Sequence, residues 1–140
     1  MKKVLGIFFV LIFNFIFNGN FVFATETVYL IDKIEMECIS KTDDTLEMNK
    51  CSLVAQEAWH NEIENSLIEL KSILKPQDYK ILQEAQLAWE EFYKVNTRFT
   101  DLYPQYKSGT MFQNVKQGWR TGLVKQRALD LKEYINTFNF

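Results

Sequence analysis

The sequence predicts an all-α protein: three long amphipathic helices in an antiparallel bundle, preceded by an extended arm that one disulfide ties down. Three observations predict it. Apolar residues recur at threes and fours through most of the chain, proline and glycine interrupt that pattern at only two places after residue 24, and the two cysteines lie at the junction of the arm and the first periodic segment.

The chain opens on a segment unlike the rest. Met1-Lys2-Lys3 is positive, Val4 to Phe17 is apolar except for Gly6 and Asn14, and Val22-Phe23-Ala24 ends on a small residue of the kind signal peptidase accepts. Residues 1–24 therefore read as a cleaved secretory signal. An uncleaved membrane anchor is the competing reading, because Val4 to Phe23 reaches the roughly 20 residues a bilayer core requires. Asn14, Asn18, Gly19 and Asn20 weigh against it by placing polar or helix-weakening groups in hydrocarbon. No cysteine lies near the end of the apolar run to accept a lipid, so the expected product is soluble, periplasmic or secreted, with no stable membrane insertion after cleavage.

Residues 25–140 then form one domain, 116 residues long, too short for two comfortable cores. From Thr25 to Ser40 the sequence lacks a helical stripe, and Val28-Tyr29-Leu30-Ile31 is β-prone, which predicts an extended arm. Cys38 and Cys51 are the only cysteines. In an oxidising compartment two such thiols are expected to pair, closing a loop worth on the order of 3 kcal/mol. A redox or metal pair is the alternative, disfavoured because the spacing is not CxxC and His60 is the sole histidine.

Thr42-Asp43-Asp44 supplies capping oxygens, and Glu47 stands at capping-box spacing from Asp44, so a helix is expected to start there. Leu46, Cys51, Ala55, Ala58, Ile63, Leu67, Leu70 and Leu74 make its buried stripe. Pro76 ends that helix and suits the first turn of the next. The second stripe runs through Leu82, Ala85, Trp89, Phe92 and Phe99 and fades near Tyr103-Pro104. Residues Asp101 to Thr110, with Pro104, Ser108, Gly109 and two tyrosines, read as an exposed loop. A third helix follows, with Phe112, Val115, Trp119, Leu123, Leu131 and Ile135 as its apolar stripe. Trp59, Trp89 and Trp119 sit at helical positions and read as core packing.

Charge is divided unevenly. Residues 25–69 carry three lysines against eleven acids, while residues 70–140 carry eleven basic side chains against seven acids. A net basic face for phosphate is missing, so no nucleic-acid partner is expected. The acidic half suits a basic protein partner, or simply keeps a small exported domain in solution.

Catalytic constellations lack necessary parts. His60 stands alone and falls on the expected polar side of its helix, where it reads as a solvated histidine. Asp43 with Asp44, Glu62 with Glu69, and Glu90 with Glu91 are carboxylate pairs, but glycoside hydrolysis needs two carboxyls facing across a cleft, one in an apolar setting. No glycine-rich phosphate loop or nucleophile elbow surrounds Ser52 or Ser66. No catalytic residue, metal ligand or cofactor is therefore assigned.

Four blocks carry a resemblance: Cys38 followed by Thr42; Glu47-Met48-Asn49-Lys50-Cys51; Leu82-Gln83-Glu84-Ala85-Gln86-Leu87-Ala88-Trp89; and Gln126-Arg127-Ala128-Leu129-Asp130-Leu131. In their order and spacing the chain resembles the family of bacterial LprI-type lysozyme inhibitors from Cys38 to Ile135. The sequence departs where relatives often carry two further cysteines, at places corresponding to Thr97 and Trp119, and it lacks a lipid-accepting cysteine. The resemblance implies an exported, non-enzymatic helical domain that occludes a lysozyme or related muramidase. A protruding loop suits occlusion, which makes Tyr103, Tyr106, Lys107, Ser108 and Thr110 the candidate contact residues, against the plainer reading of an ordinary exposed connection. An envelope interaction or immunity-type protein with another protein partner is the second reading. An enzyme acting on wall glycans through Glu62 or Glu90 is a third, which no motif favours.

Overall fold

The computed structural model describes residues 30–106 and 108–138. The expected signal, residues 1–24, the Val28-Tyr29 half of the β-prone patch, and Lys107 lie outside the described residues. The described chain is helical: α1 Leu30–Ile39, α2 Thr45–Ile73, α3 Pro76–Thr100, the single turn α4 Tyr103–Tyr106, and α5 Thr110–Phe138. Among the described residues there is no strand.

The arm is thus corrected: from Leu30 onward it is a helix. Ile31, Ile34 and Cys38 recur at threes and fours, Asp32 stands in the first turn where the helix dipole favours an acid, and Lys33 approaches Glu37 at 3.9 Å one turn on. Ten residues are too few for a helix to persist alone in water. Tertiary ties supply the rest. Glu35 accepts a 2.6 Å hydrogen bond from Ser52 Oγ, Lys125 Nζ donates to Asp32 at 2.5 Å, and the Cys38–Cys51 disulfide joins α1 to α2 with Cα atoms 5.8 Å apart. The described half of the β-prone patch, Leu30 and Ile31, is helical because these distant ties outweigh its local preference.

Asp44 caps α2, its Oδ1 accepting from Leu46 N–H at 2.7 Å, while Thr42 Oγ1 accepts from Asp44 N–H at 3.0 Å. Glu47 accepts from Lys50 at 2.6 Å. Lys75 is extended, as a residue before proline should be, and Pro76 occupies the first turn of α3.

The core lies chiefly between α2 and α5. Trp59, Ile63 and Leu70 from α2 meet Val124, Ala128, Leu131 and Ile135 from α5, with Trp59 only 1% exposed. Partner residues advance in the same sense along these two helices, from Asn49 with Gln113 to Glu62 with Lys132. Between α3 and α5 they advance in opposite senses, from Gln86 with Arg127 to Asp101 with Lys116. Several stripe residues face elsewhere than expected. Leu46, Ala85, Phe92, Phe99 and Trp119 are exposed. The buried stripe of α5 instead begins with Gln117 and Thr121, because Gln117 donates to both Gln56 and Thr121, and Thr121 Oγ1 donates to Ser52 O at 3.2 Å. Paired polar groups can occupy a core seam, and hydrophobicity alone does not reveal them.

Candidate functional site

The residues expected to contact a partner lie where α3 ends, α4 turns and α5 begins. Thr100 closes α3, and a single turn follows because Pro104, which cannot donate an N–H, interrupts the continuing ladder. Gly109 has φ 113°, a left-handed conformation that L side chains rarely adopt, and it redirects the chain into α5.

Arg120 of α5 fastens this corner. Its Nη2 donates to Asp101 Oδ1 at 2.6 Å and to Thr97 O at 3.2 Å, and its Nε donates to Thr100 Oγ1 at 3.4 Å. Lys116 adds a second donor to Asp101 at 3.3 Å. Partial desolvation pushes the Asp101 carboxyl upward, but the hydrogen bonds from Arg120 and Lys116, with their positive charges, outweigh it and hold the group below the usual carboxylate range.

An aromatic cluster sits beside the clamp. Tyr103 meets Phe112 edge-on with centroids 5.6 Å apart, and Trp119 with centroids 5.1 Å apart. Tyr103 is half-buried by these contacts, while Tyr106 is 77% exposed. Ser108 and Thr110 are exposed, and Thr110 opens α5. The structure therefore divides the expected contact set: Tyr103 turns inward as a support, and Tyr106, Ser108 and Thr110 face outward. It adds Phe99, Leu102, Met111 and Trp119, all exposed apolar residues flanking the same corner. Trp119 corrects the core assignment, being 47% exposed. Sequence reasoning missed the Asp101–Arg120–Lys116 clamp; its only signal was an acid at one flank of the loop and bases at the other.

Other candidate residues are held elsewhere. His60 is half-buried and meets Tyr93 edge-on at 5.9 Å, which corrects its solvated assignment. Tyr93 also stacks on Trp89 at 5.4 Å and accepts a hydrogen bond from Gln56, so His60 belongs to the α2–α3 contact. Glu62 pairs with Lys132 across α2 and α5, and Glu90 accepts from Gln86 on its own helix at 3.1 Å. Among the described residues, no group of three or more His, Cys, Asp or Glu is arranged to hold a metal. No described helix is long and apolar enough to cross a membrane.

Against known proteins, the chain is similar in fold to an uncharacterized protein from Burkholderia thailandensis, with a TM-score of 0.73 and 21% identity. The match covers 79% of this chain and 55% of that one, so the chain spans about half the length of its structural relative. No curated protein matches. The model of the family described as lysozyme inhibitor LprI matches residues 37–131, a stretch that takes in the disulfide, all of α2 and α3, the clamped corner and most of α5. The chain belongs to the lysozyme inhibitor LprI family.

Proposed function

We propose that this protein is exported through cleavage after Ala24 and inhibits a lysozyme or related muramidase by occluding it, without catalysing a reaction. Family membership over residues 37–131 is the observation that carries this reading. The corner of α3, α4 and α5 supports it as the contact surface. Rigid aromatics at a partly desolvated site are the usual anchors of protein interfaces, and Tyr106 and Trp119 stand exposed on a support that Arg120 and Tyr103 hold in place. Ser108 and Thr110 offer hydroxyls at its rim, and Lys107 adjoins them in sequence. The acidic stretch 25–69 would speed encounter with a basic enzyme more than it would tighten the complex.

The test is lysis of peptidoglycan by a hen-type lysozyme in the presence of residues 25–140. Lysis should slow with increasing protein, and Tyr106→Ala or Trp119→Ala should raise the concentration needed by about tenfold or more if either residue is an anchor. Unchanged lysis at large molar excess would remove the inhibitor reading for this enzyme. Inhibition that both substitutions leave intact would move the contact surface off this corner.

A further inference from the structure

The outward side of α3 carries a second, independent pattern. Ile81, Ala85, Ala88, Phe92, Val95, Phe99 and Leu102 alternate at spacings of four and three along α3 and the turn after it, and every one of them is exposed. That is the seam of a coiled coil, with Ala85, Phe92 and Phe99 at one core position and Ile81, Ala88, Val95 and Leu102 at the other. The helix's inward side is already used: Leu82, Trp89 and Tyr93 pack on the core, and Gln86 receives Arg127. Among the described residues nothing closes over this seam, whose members are all at least partly open to solvent.

We infer that α3 pairs with α3 of a second copy of this chain, antiparallel, about a two-fold axis near residue 90. Three features select this occupant. In that register Phe92 meets Ala88 of the other copy, Phe99 meets Ile81, and Ala85 meets Val95, so each large side chain faces a smaller one or an aliphatic one. A parallel pair would instead stack Phe92 on Phe92 and alanine on alanine, leaving gaps. The charges agree. Glu84, Glu91 and Arg98 line one flank of the seam and are exposed, and the antiparallel register sets Glu84 against Arg98 of the other copy, twice by symmetry. Glu91 meets its own copy at the axis, a repulsion that Lys94, 3.6 Å from Glu91 on the same helix, offsets. The other flank holds Leu82 and Trp89, which are committed to their own protomer.

The third feature is a cavity of about 660 Å³ lined by Leu70, Leu74, Ile81, Leu82, Tyr134 and Phe138, which opens beside the start of the seam. The same register brings Phe99 of the other copy to Ile81 at its rim. One aromatic side chain, 69% exposed in its own protomer, thus reaches an apolar recess in the other. The dimer thus covers Phe99 at the edge of the partner-binding corner, whereas Leu102 has no counterpart in this register, so Tyr106 and Trp119 themselves lie past the end of the seam. Each dimer carries two such corners at opposite ends.

Sedimentation of residues 25–140 over a concentration series reads the association directly. A dimer should form by about 100 µM, and Phe92→Lys, at a position exposed in the protomer, should abolish it with helicity unchanged. Glu84→Arg alone should weaken the dimer about tenfold by setting like charges together twice, and Glu84→Arg with Arg98→Glu should restore it. A chain monomeric throughout, or a dimer indifferent to Phe92→Lys, overturns the proposal. Failure of the double exchange to restore association overturns the antiparallel register.

Discussion

Helices α2, α5 and α3 each carry a similar number of apolar residues, but the pair α2 and α5 buries its own far more completely than α3 does. Trp59, Leu70, Val124 and Leu131, the largest fully buried side chains, all lie on α2 and α5. The buried residues of α3 are Gln86 and Thr100, both polar, and each is held by an arginine of α5: Gln86 accepts from Arg127 Nε at 3.0 Å and Thr100 from Arg120. One unit is thus held by excluded water and close packing, the other by hydrogen bonds at two points and half-buried aromatics between them. Apolar burial scales with area and does not depend on direction, whereas a polar tether contributes about 1 kcal/mol net and depends on geometry. The α2–α5 pair is therefore the stable frame. Helix α3 is the element with surface to spare and the one expected to open first.

The difference can be broken most sharply in the core. Leu70→Ala should cost about 2–5 kcal/mol of unfolding free energy in a denaturant titration, because a fully buried site cannot collapse onto the lost atoms. The same measurement on Phe92→Ala, at low concentration, should show less than about 1 kcal/mol, since that ring is half-exposed. Equal losses would refute the division. Next in size is the link between α1 and the frame. Replacing Cys38 and Cys51 together by serine should cost about 3 kcal/mol and release α1, seen as loss of amide protection over residues 30–39, because ten residues do not hold a helix unaided.

The smallest effect concerns the tether at the α3 terminus. The folded-state pKa of Asp101 is depressed, so its carboxylate contributes stability above its unfolded value and loses that contribution as pH falls through the folded one. Half of the side chain is exposed and solvent screens the pair, so the contribution is under about 1 kcal/mol. Amides near residues 97–101 should accordingly lose protection, after correction for the intrinsic pH dependence of exchange, below the ordinary carboxylate range, and Asp101→Asn should remove that loss. Exchange that keeps the same pH dependence in the variant would assign it to another group.

Much of this was legible beforehand, and the failures have physical causes. The Asp44 cap, the Pro76 junction and the Cys38–Cys51 link follow from local chemistry, since a capping oxygen, a missing N–H and two thiols act within a few residues or leave no alternative partner. Helix α1 was missed because its stability comes from Lys125, Ser52 and the disulfide, all distant in sequence. Trp119 and Phe99 satisfied helical spacing as well as Trp59 did, yet spacing gives only a face relative to the helix's own axis. The candidate corner was located by its loop composition, but the inward turn of Tyr103 and the Arg120 clamp were not, because both depend on where α5 passes α3.

The sequence by itself determined that the chain is helical, where α2 starts and where it hands over to α3, and which two sulfurs are joined, because each of these is fixed by neighbours along the backbone or by the lack of competitors. Only the tertiary structure decided which side of each helix is the core, that polar Gln117 and Thr121 occupy α5's buried seam, and that α3 keeps an apolar face turned outward. The reason is that periodicity specifies faces but not their partners, and burial is a property of the pair.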